Sequence, residues 1–298
     1  MCDLETRFEQ AVMLLPTKFR AAARALSTEQ KSAVEELRLR VVFGLSAVIA
    51  GKEISLQRGA SQDDILDTVA RAAQGSLHSV SDSIARGFVT APGGHRVGVC
   101  GTAIVENGQI CGMRSFTSVS VRISKELKGI GTELYKRFVS GGLLRSTLII
   151  APPGVGKTSL LRDLVRLISE GGLRVGVADE RKEISGWGDD PNTPSFDLGG
   201  QTDVLCGAPK AEGALMLLRT MSPAVIAMDE ITDPADIAAA EKIAYCGVAL
   251  YATIHASCTG ELRRRRGHEG IERIFERRVV IERRADGRRR YLLEEGSW

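Results

Sequence analysis

The chain has 298 residues, of which 43% are hydrophobic and 26% charged, a composition typical of a globular protein with room for two domains. Its net charge of +3 is uneven, because residues 263–290 carry twelve arginines and five acids, which leaves about −4 for the remainder. The longest apolar run, 41–50, is too short to span a membrane, and the acidic start is unlike a signal peptide, so we expect a cytoplasmic protein.

Cysteine and histidine usage indicates neither a disulfide framework nor a zinc site. The six cysteines contain no C-x-x-C pair, and the four histidines are not clustered. Reduced, mostly buried cysteines and the absence of a structural metal are therefore expected.

The first part of the chain, 1–135, is predicted to form a smaller α+β domain. Ser27 to Gln30 is a capping box that opens a helix, and a second helix begins at Ser61. Alternating apolar residues predict strands around 37–41 and 119–123, and Asn107-Gly108 predicts a hairpin turn.

Basic side chains of this domain offer two functional interpretations. His95 and Arg96, in a glycine-rich run, either contact phosphate or nucleic acid or form a polar hairpin corner. Arg114 and Arg122 lie near the predicted linker, where an arginine can reach a nucleotide across a subunit boundary, or else they are ordinary solvated arginines.

The second predicted domain, 136–298, opens with a phosphate-binding pattern. A short apolar strand, 148–150, is followed by Ala151-Pro152-Pro153-Gly154-Val155-Gly156-Lys157-Thr158-Ser159 and then by an amphipathic helix. We expect residues Pro153 to Ser159 to hold ATP. Lys157 would contact the β- and γ-phosphates, and Thr158 would hold Mg²⁺. Ala151 stands where the common pattern has its first glycine.

Three further segments belong to this predicted α/β core. The helix after the loop has an apolar stripe with Arg162 and Asp163 assigned to its outer face. A buried strand then ends in Asp179-Glu180-Arg181, near the expected phosphates. Residues 185–208 are predicted as a long loop that is either functional or mobile.

A second acidic strand end supplies the expected metal ligand. The apolar run 224–228 ends in Asp229-Glu230, about seventy residues after the phosphate loop. This is the Walker B arrangement, in which Asp229 holds Mg²⁺ and Glu230 deprotonates the attacking water.

The end of the chain contributes a polar strand terminus and a hairpin. Thr253 and His255 close the strand 248–256 and either sense the γ-phosphate or, for His255, fill a satisfied core position. Residues 279–282 and 291–294 are predicted as a C-terminal β-hairpin with arginines on its solvent face.

These motifs together resemble known ATPases. Alternating strands and helices over 145–260 resemble a RecA-like P-loop ATPase core. The run Gly176 to Arg181 is similar to a strand end of rotary and type III secretion ATPases. The run Ala252 to Ala256 is similar to the histidine box of type II and type IV secretion ATPases. Over nearly its whole length the chain resembles the stage III sporulation protein AA family, through the segments 87–101, 179–184, 201–205, 221–223 and 229–231.

The resemblance implies a hexameric ATPase, peripheral to a membrane-embedded channel or secretion complex between mother cell and forespore, with nucleotide bound between subunits. It implies Glu230 or Glu180 as the residue that activates water, with Glu230 favoured. It also makes Arg114, Arg122 and Arg219 candidates for an arginine acting in trans.

Two other functions remain open from the sequence. A nucleotide-gated nucleic-acid-binding ATPase, such as a recombinase or helicase loader, fits the basic stretch, although an aromatic content of 5% argues against base stacking. The second alternative function is that of a scaffold that binds nucleotide without hydrolysing it. No motif separates ATP from GTP.

Overall fold

The structure, a computed structural model, describes residues 3–76, 80–140, 145–187, 196–262, 271–283 and 289–296. The chain divides into two compact units, one made of 1–126 with 186–196 and the other of 127–185 with 197–298. The division falls after Glu126. The boundary of independent domains after residue 135 stays a prediction.

The first unit is an antiparallel sheet with helices packed against it. Its six strands follow the order β3-β2-β1-β6-β5-β4. The core gathers apolar side chains of the sheet and of the first two helices, among them Leu37, Val121 and Phe8. The elements are α1 Asp3–Met13, α2 Thr17–Arg24, α3 Thr28–Ala33, β1 Val34–Arg40, β2 Gly44–Ile49, β3 Lys52–Gln57, α4 Gln62–Ala72, α5 Ser81–Ala85, β4 Phe88–Ala91, β5 His95–Glu106 and β6 Gln109–Arg122.

Local signals in this unit act as predicted. Ser27 and Ser61 each accept a hydrogen bond from the backbone N–H three residues later, and both helices begin with a complete capping box. Asn107 and Gly108 have φ of 52° and 77°, the left-handed values that a tight hairpin turn requires, and they join β5 to β6.

The second unit is a mainly parallel sheet in the order β13-β12-β7-β11-β10-β8-β9, in which only β13 runs antiparallel among the described strands. Its elements are α6 Thr132–Ser140, β7 Thr147–Ala151, α7 Lys157–Glu170, β8 Val175–Asp179, β9 Thr202–Cys206, α8 Lys210–Thr220, β10 Val225–Met228, α9 Pro234–Tyr245, β11 Ala249–His255, α10 Thr259–Leu262, α11 Ile271–Ile274, β12 Arg277–Arg283 and β13 Arg289–Glu295.

Both faces of this sheet are covered, which explains its continuous apolar strands. In β7, Leu148 and Ile150 pack into a core with α8 and α9, whereas Ile149 and Ala151 pack into another with α6 and α7. The three layers bring the carboxyl ends of the parallel strands to one edge, where ligands bind in open α/β sheets.

Two assignments in the second unit were wrong. The segment 185–208 contains a strand, β9, which pairs parallel with β8; its residues 188–195 lie outside the described part. Arg162 and Asp163 are 6% and 3% exposed and not on an outer face, because each finds buried backbone partners. Asp163 accepts hydrogen bonds from the N–H groups of Gly129 and Gly131 at 3.0 and 2.7 Å.

The described arginines next to the predicted hairpin segments, Arg283, Arg289 and Arg290, are exposed as expected, whereas two arginines just before the hairpin are buried. β12 and β13 form the predicted antiparallel pair. Arg277 and Arg278 are buried and form ion pairs with Glu295 and Glu294 of β13. Part of the basic stretch is therefore internal, while its residues 263–270 and 284–288 lie outside the described part.

His95 is a buried core residue. Its side chain is fully buried, and its Nδ1 accepts a hydrogen bond from the Ser124 N–H at 3.2 Å. Burial, with the charge of Arg7, lowers the pKa of His95 to about 3. A neutral, enclosed imidazole is not available to phosphate or nucleic acid. Arg96 is exposed and stacks on the ring of Phe88.

We predict that His95 makes folding sensitive to acid. The native imidazole resists protonation while the unfolded one protonates near pH 6.5, so its contribution is present above pH 6.5 and is lost as pH falls towards about 3. The free energy of unfolding should fall by about 1.4 kcal/mol per pH unit more in the wild type than in His95→Gln. Urea unfolding at pH 7, 6 and 5 measures both; parallel pH dependences would contradict the prediction.

Candidate functional site

The loop predicted to bind phosphate leads from β7 directly into α7. Gly154 and Gly156 have φ of 74° and 107°, which side chains with a Cβ rarely adopt. Ala151 is the last residue of β7 and lies in extended backbone, so the missing glycine at this position imposes no strain. Pro153, Val155 and the two glycines thus curl around the start of α7, where backbone N–H groups of a helix favour an anion.

Lys157 is the first residue of α7 and is 5% exposed. Its Nζ donates to the carbonyl oxygens of Ala151 and Pro152 at 2.9 and 3.0 Å and lies 2.7 Å from Nδ1 of His255. Burial lowers the pKa of Lys157, and the nearby carboxylates Asp229 and Glu230 oppose the shift. The ammonium group is held inside the loop that would receive the phosphates.

Asp229 joins the phosphate loop to two strands. The Thr158 hydroxyl donates to its Oδ2 at 2.6 Å, and the Thr253 hydroxyl of β11 donates to its Oδ1. β10 pairs with β11 so that Met228 lies beside Ala252, which places Asp229 next to Thr253. A hydroxyl and a carboxylate are oxygen ligands that Mg²⁺ prefers, so Thr158 and Asp229 fit the predicted ion.

Glu230 lies at the centre of an ionic cluster. Its backbone has a φ of 53°, unusual for a residue with a side chain, and its N–H donates to the Thr253 hydroxyl at 2.9 Å. Its carboxylate accepts from Arg181 at 2.7 Å and lies 3.0 Å from Nε2 of His255. His255 therefore bridges Lys157 and Glu230, and it is one-third exposed, unlike a core histidine.

Glu180 lines the same cleft as Glu230, together with Asp229 and Lys210. The Lys210 N–H, at the start of α8, points to Glu180 Oε2 at 3.4 Å. The Lys210 ammonium donates to the Glu230 carbonyl at 2.6 Å and lies 3.5 Å from Asp236. Sequence reasoning missed Lys210, since no local pattern indicates that the start of α8 returns to this strand edge.

Asp179 supports the cleft from beneath. Its carboxylate accepts from the N–H groups of Glu183, Ile184 and Ser185 and from the Ser185 hydroxyl at 2.7–3.1 Å. Burial raises the pKa of Asp179, although these hydrogen bonds oppose the shift. Arg162 donates to the carbonyl oxygens of Ile184 and Glu183, so both the N–H groups and the carbonyl oxygens of the turn after β8 have side-chain partners.

The three candidate arginines are not brought into this cluster by the described contacts. Arg219 is exposed near the end of α8, nine residues after Lys210, and donates to the Leu215 carbonyl. Arg114 and Arg122 are exposed on β6 of the first unit. Ser159, next along α7 from Thr158, is half-buried.

Residues 5–294 match the family described as Sporulation stage III, protein AA. The chain belongs to this family. A relative within it, Stage III sporulation protein AA of Bacillus subtilis (strain 168), is 33% identical over 277 residues, which cover 91% of this chain and 89% of the relative. Protein SEEDLING PLASTID DEVELOPMENT 1 of Arabidopsis thaliana is 32% identical over 46% of this chain and 20% of its own length.

Solved structures show that the chain has the RecA-like α/β fold. The Legionella pneumophila ATPase DotB superposes with a TM-score of 0.59 and 17% identity, covering 96% of this chain and 78% of DotB. The pilus retraction motor PilT, solved with bound ADP, superposes with a TM-score of 0.60 and 13% sequence identity. The match covers 91% of this chain and 82% of PilT. Across the ranges that the structure describes, no helix has the length and apolar character needed to cross a membrane.

We predict that Asp179→Ala destabilises the second unit by about 3 kcal/mol, because several buried backbone N–H groups lose their acceptor. Ser185→Ala is the matched variant: it removes only the hydroxyl hydrogen bond and should cost about 1 kcal/mol. Urea unfolding followed by circular dichroism compares them. Equal stability of the aspartate variant and the wild type would refute this role.

Proposed function

We propose that this family member is a Mg²⁺-dependent ATPase. The proposal is carried by one observation. A continuous series of hydrogen bonds and ion pairs runs along one strand edge and joins Lys157, His255, Glu230, Thr253, Asp229 and Thr158. The series contains a cation for phosphate, oxygen ligands for Mg²⁺ and a carboxylate able to accept a proton. These are the parts that phosphoryl transfer to water requires.

Each side chain has a distinct proposed role. Residues Pro153 to Ser159 hold the phosphates through backbone N–H groups, and Lys157 leaves its loop carbonyls to contact the β- and γ-phosphates. Thr158 and Asp229 hold Mg²⁺, which when bound neutralises phosphate charge. Glu230 takes a proton from water as the water attacks the γ-phosphorus and the bond to the β–γ bridging oxygen breaks.

We propose Glu230 and not Glu180 as the base because of the side chains that Glu230 contacts. Glu230 is joined to Lys157 through His255, so the group that activates water and the group that binds γ-phosphate lie in one hydrogen-bonded unit. Glu180 shares the cleft and its carboxylate is directed to the start of α8. We assign Glu180 a supporting role at the cleft and His255 the sensing of the γ-phosphate.

Relatedness to the sporulation family supports a proposal for the biological setting. We propose that the chain works as a cytoplasmic motor at the membrane, powering a membrane-embedded secretion or channel complex of sporulation between mother cell and forespore. Its active form would be a hexamer with nucleotide between subunits. In such a ring Arg114, Arg122 or Arg219 would act on a neighbouring subunit's nucleotide, since each is exposed on the single chain.

We predict that Lys157→Ala loses nucleotide binding and turnover together, because the phosphates lose their main cation. Glu230→Gln should still bind ATP and lose at least about 100-fold in phosphate release, since the amide cannot accept a proton. Phosphate release and binding of a fluorescent ATP analogue are measured in parallel on each variant.

The variant Glu180→Gln tests which of the two carboxylates, Glu180 or Glu230, is the base. It should retain more than a tenth of wild-type turnover if Glu230 is the base. Near-complete loss in Glu180→Gln with activity retained in Glu230→Gln would reverse the assignment. A wild type that binds no nucleotide at millimolar concentration would refute the ATPase proposal.

We predict that a non-hydrolysable ATP analogue raises the mass of the protein in solution towards six chains of 32.1 kDa. Nucleotide shared between subunits stabilises the assembly that binds it. Light scattering with and without the analogue tests this, with Lys157→Ala as the control that should not respond. An unchanged wild-type mass would argue against nucleotide at a subunit boundary.

A further inference from the structure

Arg289, the first residue of β13, lies against the phosphate-binding loop. A Cβ added to Gly156 would lie 2.9 Å from Cζ of Arg289 and 3.1 Å from its Nε and Nη2. The guanidinium group thus touches the glycine that immediately precedes Lys157 and caps α7. Arg289 is exposed, in agreement with the predicted solvent face of the hairpin, and its guanidinium group lies over the loop.

The sheet topology brings Arg289 to this place. β12 runs parallel to β7, with Val280 beside Ile150, so its carboxyl end lies at the same edge as the phosphate loop. β13 returns antiparallel from that edge, and its first residue is therefore the one nearest the loop. Tyr291, two residues later, lies on the same face of the strand as Arg289.

The charges around Arg289 favour an anion. Arg283 is directly opposite Arg289 in the β12–β13 register, so both side chains lie on one face of the hairpin. Like charges directly opposite each other destabilise a strand pair. The start of α7, at Gly156, adds positive charge beside Arg289. An anion between these groups relieves the repulsion, and phosphate oxygens match the guanidinium fork.

We propose that Arg289 binds the phosphates of a nucleotide held by the P-loop of its own chain, with Arg283 adding charge from the opposite strand. This inference rests on the proposed nucleotide-binding function and adds to it a residue outside the Walker motifs. It differs from the arginines considered for a neighbouring subunit, since Arg289 contacts the loop within one chain.

The test measures binding of mant-ADP to the full chain carrying Arg289→Gln, with Arg290→Gln as the matched control. Arg290 is the next residue of β13, points to the opposite face and is paired with Glu282 in the register. We expect the dissociation constant to rise at least about tenfold in Arg289→Gln, as for loss of a charge-assisted hydrogen bond, and to stay within about twofold in Arg290→Gln.

Inorganic pyrophosphate separates phosphate contacts from contacts to the base. It should displace mant-ADP less effectively in Arg289→Gln than in the wild type. Equal displacement would overturn the phosphate assignment. If Arg289→Gln does not fold, Arg283→Gln on the same face carries the test, with an expected weakening of about threefold and with unchanged affinity overturning the proposal.

The remaining outcomes are decisive in different ways. Unchanged or tighter mant-ADP binding in Arg289→Gln, with normal binding by the wild type, overturns this inference alone; tighter binding would mean that the guanidinium obstructs the loop. Absence of binding by both the wild type and Arg290→Gln overturns the proposed nucleotide site and this inference with it.

Discussion

The site depends on the two hydrogen bonds that the Asp229 carboxylate accepts. One of its oxygens accepts a hydrogen bond from Thr158 at the start of α7, and the other accepts from Thr253 at the end of β11. Three separate segments are tied at one point: the phosphate loop, β10 and β11. Because the strands are parallel and in register, a carboxylate at this position meets both hydroxyls without any irregular connection.

The same edge concentrates opposite charges at short range. Lys157 is buried and has a lowered pKa, and it is stabilised as a cation by Asp229 and Glu230. Glu230 in turn is held by Arg181 and His255, with a backbone in the left-handed region. Strained backbone of this kind persists when surrounding contacts determine it and is concentrated at functional sites. A polyphosphate entering the cleft would exchange partners with this cluster.

Several features could be predicted because their causes are local. The loop needs glycine at φ values of 74° and 107°, and a strand before and a helix after it are readable from apolar periodicity. Strand β10 ends where its apolar run ends. In contrast, β9 was missed because its residues Thr202 to Cys206 stand in a Gly- and Pro-rich segment and are only half-buried. Arg162 was assigned outward because helical periodicity does not reveal a buried carbonyl partner such as that of Ile184.

The sequence by itself determined the RecA-like core and the family, and it predicted the glycine-containing loop before α7 and the acidic end of β10, since each depends on neighbours along the chain. Tertiary structure alone decided the pairing of Glu230 with Arg181, the arrival of Lys210 at the cleft and the contact of Arg289 with Gly156. Those contacts join segments between 20 and more than 100 residues apart in the chain. Their geometry depends on strand order and register, which no local pattern specifies.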